Sequence, residues 1–273
     1  MTERARVALT GPPETMLATL CGKARDARSD HPILGDPWAA RVLDQVDYDV
    51  AKAGMNPTSA AGVALRSRWF DRWTAEFLAA EPTATVLHLA CGLDARSLRV
   101  EHGPSVRWVD VDLPDVVALR ERLLPRPDGD YALVAASVLD ERRLADVPAD
   151  RPVVAVAEGL TMYLHEADVR RLVQRIAGRF PSGQLLFDVY GTIGIRLQRR
   201  VTAVRTSGSR LHWGLDDPRA PLAWHPRLRL LDDVRSVAVP GIEEFPLVGR
   251  LQMGLLARIP RLRDVGRYLR YAF

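Results

Sequence analysis

Beyond Pro82, short apolar runs alternate with amphipathic stretches, and this constrains the fold more than anything else in the 273-residue chain. The runs are Thr85–Ala90, Val106–Val111, Tyr131–Ala136, Pro152–Ala157 and Gln184–Val189. Between them lie Val116–Leu124, a short stretch around Leu139–Val147, and Glu166–Phe180, where Val169, Leu172, Val173 and Ile176 share one helical face. Alternation at this interval predicts right-handed crossovers and a parallel sheet covered on both sides. A ligand is expected in the crevice at the carboxyl ends of the strands. Strand-like segments return at Leu228–Leu231, Val234–Val239 and Tyr268–Phe273. Ahead of the alternation, Glu14–Leu78 reads as helical. Its breaks fall at His31-Pro32, Asp36-Pro37 and Asn56-Pro57, because proline disfavours helix in the residue before it.

Composition narrows the function classes. With 47% hydrophobic and 26% charged residues the chain is an ordinary globular one. No apolar run approaches the roughly 20 residues of a membrane span. Met1–Thr10 carries Arg4 and Arg6 with no apolar core behind them, so a cytoplasmic location is expected. Cys21 and Cys91 are the only cysteines; they read as small buried hydrophobes, and no metal site is expected. The net charge of +4 suggests a modest preference for anionic partners. The arginines are read as spread among acidic neighbours, with no basic block interleaved with aromatics, so nucleic acid is not an expected partner.

The first run ends Leu89-Ala90-Cys91-Gly92-Leu93-Asp94. Glycine directly after a buried strand lets the backbone approach a ligand closely. The second ends Asp110-Val111-Asp112-Leu113-Pro114, and Asp112 lies 20 residues after Gly92. That is the interval at which an acidic side chain meets ribose hydroxyls in nucleotide-binding α/β folds. Asp110 and Asp112 share a strand face, so either carboxylate can serve; Asp112 is nearer the strand end, and a solvated carboxylate is the alternative for Asp110. A dinucleotide fingerprint needs three glycines, and Ala90–Ala95 offers one, with Asp94 where a pyrophosphate would be repelled. S-Adenosylmethionine carries no phosphate and is the cofactor this turn favours.

Farther along, Ser137 follows the third run, where it caps a helix or contacts adenine, beside Val138. The fourth ends Ala157-Glu158-Gly159-Leu160-Thr161-Met162-Tyr163-Leu164. A buried Glu158 without a partner would be costly, so it is expected to bond something specific. His165-Glu166 reads as the next helix start. Tyr163 and Tyr190, just past strand ends, are candidates to orient a substrate. His212 and His225 are candidate bases for a phenolic acceptor, and Arg196 or Arg210 could pair with a substrate carboxylate. From Gly191 to about Pro226 the alternation fails, and 192–226 reads as an irregular substrate lid.

Taken together, Gly35-Asp36-Pro37-Trp38-Ala39, Gly92-Leu93-Asp94-Ala95-Arg96, Val109–Pro114, Ala157–Leu164 and the closing Arg270-Tyr271-Ala272-Phe273 resemble the leucine carboxyl methyltransferase family. The likeness is closest to its microbial branch of polyketide O-methyltransferases, the tetracenomycin type, and runs from about Leu17 to the terminus. It implies a class I S-adenosylmethionine-dependent methyltransferase: an α/β, Rossmann-like, mostly parallel seven-stranded sheet. A helical N-terminal cap (1–82) contributes to the cofactor site, and a lid follows the fifth strand within the 83–273 core. It further implies that Lys23 and Arg66 hold the methionine carboxylate, that Gly92 and Asp112 line the cofactor, and that Glu158, with Gly159, lies close to it. Ala90 stands where the family usually has glycine, which implies altered cofactor affinity rather than loss. The implied reaction is O-methylation of a small acidic or phenolic metabolite, including a polyketide-type carboxylate. A protein C-terminal carboxyl methyltransferase and a non-catalytic cofactor-binding module are the alternatives; a nicotinamide dehydrogenase ranks below them for want of glycines.

Overall fold

The structure is a computed structural model that describes residues 5–6 and 12–273, with side chains from Thr15 onward except 143 and 144. The reading of Met1–Thr10 therefore lies almost wholly outside the described residues.

Seven strands form the main sheet: β1 Thr85–Leu89, β2 Arg107–Asp112, β3 Asp130–Ala135, β4 Val153–Ala157, β5 Gly183–Tyr190, β6 Arg229–Arg235 and β7 Gly266–Ala272. Their order is β3-β2-β1-β4-β5-β7-β6. The first five pair in parallel, while β7 runs antiparallel to both β5 and β6. The chain winds outward from β1 to β3, then returns to β4 on the other side of β1. That reversal opens a crevice at the carboxyl ends of β1 and β4, where ligands bind in doubly wound sheets.

Strand alternation sends the two faces of the sheet into different cores. Val86, Trp108, Val154, Val156 and Leu186 pack on Leu65, Phe70, Trp73 and Phe77 of helix Pro57–Ala80. Leu87, Leu89, Val109, Ala155 and Phe187 pack on Val169, Leu172, Val173 and Ile176 of helix Glu166–Arg179, the face expected from the sequence. β1 and β4 are buried along their whole length, as a central parallel strand must be. A third core joins Leu17, Leu20 and Cys21 of helix Pro12–Ala27 to Leu93, Leu119 and Leu123. The N-terminal helices are thus seated on the turn after β1 and the helix after β2. Their starts follow the sequence: Asp36 and Asn56 cap the helices that begin at Pro37 and Pro57, accepting from Trp38 N and Ser59 N.

Two C-terminal expectations change. Leu228–Leu231 and the start of Val234–Val239 merge into one strand, β6, which ends at Arg235, with a register shift between Leu230 and Asp232 that leaves Leu231 exposed. Asp232 and Asp233 broke the apolar pattern, but Arg270 and Arg267 of β7 neutralise them across the ladder. The stretch after β5 is not irregular throughout. It holds helices Thr192–Arg196 and Thr202–Thr206, and its Trp213, Leu215 and Trp224 enter the core on the Glu166–Arg179 side. Among the described residues, no helix is long and apolar enough to cross a membrane.

Candidate active site

The turn after β1 is built from left-handed backbone. Ala90 has φ +51° and Gly92 φ +54°, and Ala90 is the only non-glycine with positive φ among the described residues. Left-handed backbone suits glycine and costs an alanine about 1–2 kcal/mol. A Cβ on Gly92 would stand 2.9 Å from the Met16 side chain. Asp112, at the end of β2, ties the turn down: its Oδ2 accepts from Gly92 N at 2.7 Å and its Oδ1 from Leu113 N at 2.7 Å. Burial raises the Asp112 carboxyl, against the lowering effect of these two bonds. From the other side Arg120 Nη1 donates to the carbonyls of Gly92 and Asp94, at 3.0 and 2.7 Å.

Asp110 departs from both of its expected roles. It is fully buried and does not line the crevice. Its carboxylate accepts from Arg120 (2.7 Å), Tyr131 (2.8 Å) and Trp108 (2.9 Å), and its Oδ1 faces His88 Nδ1 at 3.1 Å. Burial alone would raise it, but Arg120, His88 and Tyr131 prevail and hold it at about 2. Sharing a strand face with Asp112 put it two residues deeper, under the turn rather than beside a ligand.

Glu158 finds the partners that burial demanded. Its Oε1 accepts from Arg66 Nε (3.0 Å) and Ser67 Oγ (2.7 Å), and its Oε2 pairs with Arg96. Burial opposes ionisation here, yet Lys23, Arg66 and Arg96 hold the carboxyl below the usual range. Asp94, which no pyrophosphate would tolerate, is held by Lys23 at 3.1 Å, Arg99 at 3.0 Å and Arg96 at 3.3 Å. Arg66 reaches Asp188 at 2.9 Å, and Asp188 in turn accepts from Gly159 N at 2.6 Å, where φ is +69°. Counting Asp71 and Asp36 on Arg96 and Arg99, four cations (Lys23, Arg66, Arg96, Arg99) meet five carboxylates (Asp36, Asp71, Asp94, Glu158, Asp188). By formal charge, and leaving aside His88, which also faces Asp94 and Arg96, these nine groups carry one negative charge in excess.

These elements enclose a cavity of about 420 Å³, within the range of small-ligand sites. Of the residues expected from sequence, Lys23, Arg66, Ala90, Gly92, Asp112, Ser137, Val138, Glu158, Gly159, Tyr163 and Tyr190 line it. Ser137 Oγ also accepts from Leu139 N at 3.2 Å, so it caps its turn. Burial pushes the Tyr163 hydroxyl up to about 12 and raises that of Tyr190, so both stay protonated and can donate. His212 and His225 do not line the cavity. His212 is exposed, with its ring 4.3 Å from that of His165, its position set by its own N–H bonded to Met162 O. His225 sits beside Gly178 on the flank of helix Glu166–Arg179 and accepts from Arg227 N. The packing of Trp213 and Trp224 into the core leaves the His212 backbone beside Met162 with its side chain exposed, and sets His225 against helix Glu166–Arg179. Arg96 and Asp188 were not singled out from sequence, although Arg96 closes the glycine motif and Asp188 precedes Tyr190 by two on one strand face.

The residues present suit S-adenosylmethionine. That molecule carries a sulfonium, an ammonium and a carboxylate, one net positive charge against the one negative charge in excess. Asp112 offers an acceptor at the strand end, and Arg66 offers a cation, with 18% of its side chain exposed.

The model of the leucine carboxyl methyltransferase family matches residues 16–177. The chain is 39% identical over 267 residues to the tetracenomycin polyketide synthesis O-methyltransferase TcmP of Streptomyces glaucescens, covering 98% of each chain. It is 36% identical over 237 residues to the S-adenosyl-L-methionine-dependent methyltransferase dpfgK of Gibberella zeae, covering 80% of each. Among solved structures, a DUF574 family protein from Streptomyces avermitilis superposes with TM-score 0.59 at 18% identity, covering 96% of this chain and 97% of that one. A putative methyltransferase from Thermobifida fusca gives 0.56 at 17%, covering 92% and 93%. These two share the fold. With its left-handed glycine turn, its Asp112 and its matched charge network, the chain belongs to the leucine carboxyl methyltransferase family and is an S-adenosylmethionine-dependent methyltransferase.

Proposed function

We propose that the protein methylates a carboxylate oxygen of a small acidic metabolite of polyketide type, forming a methyl ester. The observation that carries this reading is the absence of a free base among the described residues that line the cavity. Glu158 and Asp94 are occupied by cations, Asp112 by two backbone N–H groups, and both ring nitrogens of His88 by Asp110 and Arg96, while burial holds Cys91, Tyr163 and Tyr190 protonated. A phenol, with a pKa near 10, needs a base; a carboxylate is already anionic at neutral pH. The similarity to TcmP, named for polyketide O-methylation, supports the same reading.

S-Adenosylmethionine supplies, when bound, a methyl group on a positively charged sulfur. The residues around it bind and orient. Asp112 meets the ribose hydroxyls, and Gly92 lets the backbone come close. Ser137 and Val138 bound the adenine side. Lys23 and Arg66 face the methionine carboxylate, with Glu158 and Asp188 fixing the guanidinium of Arg66. Tyr163 and Tyr190 donate to the acceptor and hold it in line, and such positioning supplies much of the acceleration. The described helices of the N-terminal region act as a cap on the cofactor, through Met16 and Lys23 of Pro12–Ala27, and part of 192–226 as a cover over the acceptor.

The test is transfer from methyl-labelled cofactor into an extract of acidic metabolites. Label released as methanol by mild base marks an ester. Label that survives base marks an ether and defeats the carboxylate reading.

A further inference from the structure

We propose that five arginines on the outer face of the wall beside the acceptor form an electrostatic collector. It draws in the anionic acceptor and loses its hold once methylation has removed the acceptor's charge. This rests on the carboxylate reading above.

From Val189 to Leu215 the chain has no Asp or Glu but contains Arg196, Arg199, Arg200, Arg205 and Arg210. This stretch departs from the expectation that the arginines have acidic neighbours. The whole protein carries a net charge of +4; without these five it would carry −1. All five are exposed, and none has a carboxylate partner among the described residues. Around the cofactor turn and along the sheet, by contrast, Arg66, Arg96, Arg99, Arg107, Arg120, Arg267 and Arg270 each face a carboxylate. A lone unpaired surface arginine is an ordinary solvated charge, whereas five on an acid-free stretch add into one field.

The same stretch is a wall of the cavity. Val201, Ala203 and Val204 line it, and Thr206 Oγ1 anchors the wall on Lys52 O at 3.2 Å. A helix with its side chains is about 10–12 Å across, comparable to the Debye length of about 8 Å at physiological ionic strength. Charges on the outer face are therefore felt at the approach to the cavity, where they raise the local concentration of anions. The cofactor network has the opposite sign, one negative charge in excess, so the site sorts its two ligands by charge. An ester product is neutral and is no longer attracted.

A binding experiment isolates the collector from the chemistry. The full-length protein, saturated with S-adenosylhomocysteine, is titrated with 1-pyrenebutyrate as a fluorescent anion and with its methyl ester as a neutral probe. Wild type is compared with a variant carrying Arg196→Gln, Arg199→Gln, Arg200→Gln, Arg205→Gln and Arg210→Gln. At low salt the wild type should bind the anion about ten-fold more tightly than the variant. The difference should vanish near 1 M salt, where the Debye length is about 3 Å, and the ester should bind both proteins alike. Equal anion binding at low salt, no anion binding by wild type, a salt-insensitive difference, or an equal loss for the ester each overturns the proposal. Failure of the carboxylate reading shows separately, as base-stable label in the transfer assay.

Discussion

The two halves of the cavity are built on different principles. On the cofactor side every ionised group has its partner in place: Asp112 on two backbone amides, Glu158 on two arginines and a serine, Asp94 on three cations. These groups stand at the ends of β1, β2, β4 and β5, held by the sheet. The proposed acceptor side is made of short helices, apolar side chains and two tyrosines, with its arginines exposed. A cofactor common to many enzymes rewards a rigid, charge-matched cradle.

The contrast is open to direct test. Glu158→Ala strands buried cations and should cost roughly 3–5 kcal/mol, a fall on the order of 10 °C in melting temperature. Arg199→Ala, on the acceptor side, should change stability by no more than about 0.5 kcal/mol. Comparable melting shifts for the two would erase the distinction. Next in size, Asp112→Ala removes a charged acceptor of two amide bonds and of the cofactor. It should weaken S-adenosylmethionine binding about 100-fold by calorimetry; a change below about threefold would remove Asp112 from the ribose contact.

Acid should reach the cofactor side first. Asp110 is held at about 2 in the fold, against about 3.9 in an unfolded chain. Its folded pKa is depressed, so its stabilising contribution is complete above about pH 4 and is lost as pH falls toward about 2. The expected loss, on the order of 2–3 kcal/mol, should appear in denaturant midpoints measured across that window; stability flat from pH 5 to pH 2 would contradict it. The smallest effect is expected at Ala90. Ala90→Gly relieves the left-handed backbone and should stabilise by about 1 kcal/mol, read as a small rise in melting temperature. A decrease would show that the alanine methyl group makes a packing contribution larger than its strain.

The cofactor side was the more legible in sequence, for a local reason. A strand end, a glycine and an aspartate 20 residues later lie within one βαβ unit, so their spacing follows from the geometry of that unit. Ser137, Glu158 and Tyr163 were readable in the same way, as residues just past strand ends. The fate of Asp110 was not: strand alternation gives the face, but only the packing of Arg120, Tyr131 and His88 decides that it is buried under the turn. The histidines failed for the converse reason. Their segment looked like loop, and loops carry chemistry, but Trp213 and Trp224 draw it into the core, and neither histidine lines the cavity.

By itself, then, the sequence determined the alternating architecture, the helix starts at Asp36 and Asn56, the phosphate-free cofactor turn and, through its motifs, the family. These rest on periodicity, capping and spacing, which act between near neighbours along the chain. The tertiary structure alone decided that Lys23, Arg66, Arg96, Asp188 and Glu158, drawn from five distant parts of the chain, form one charge network. It also decided that the acid-free run with its five exposed arginines shares a segment with Val201, Ala203 and Val204, which line the cavity. Charges distant in sequence act through distance in space, and only the folding of the sheet sets that distance.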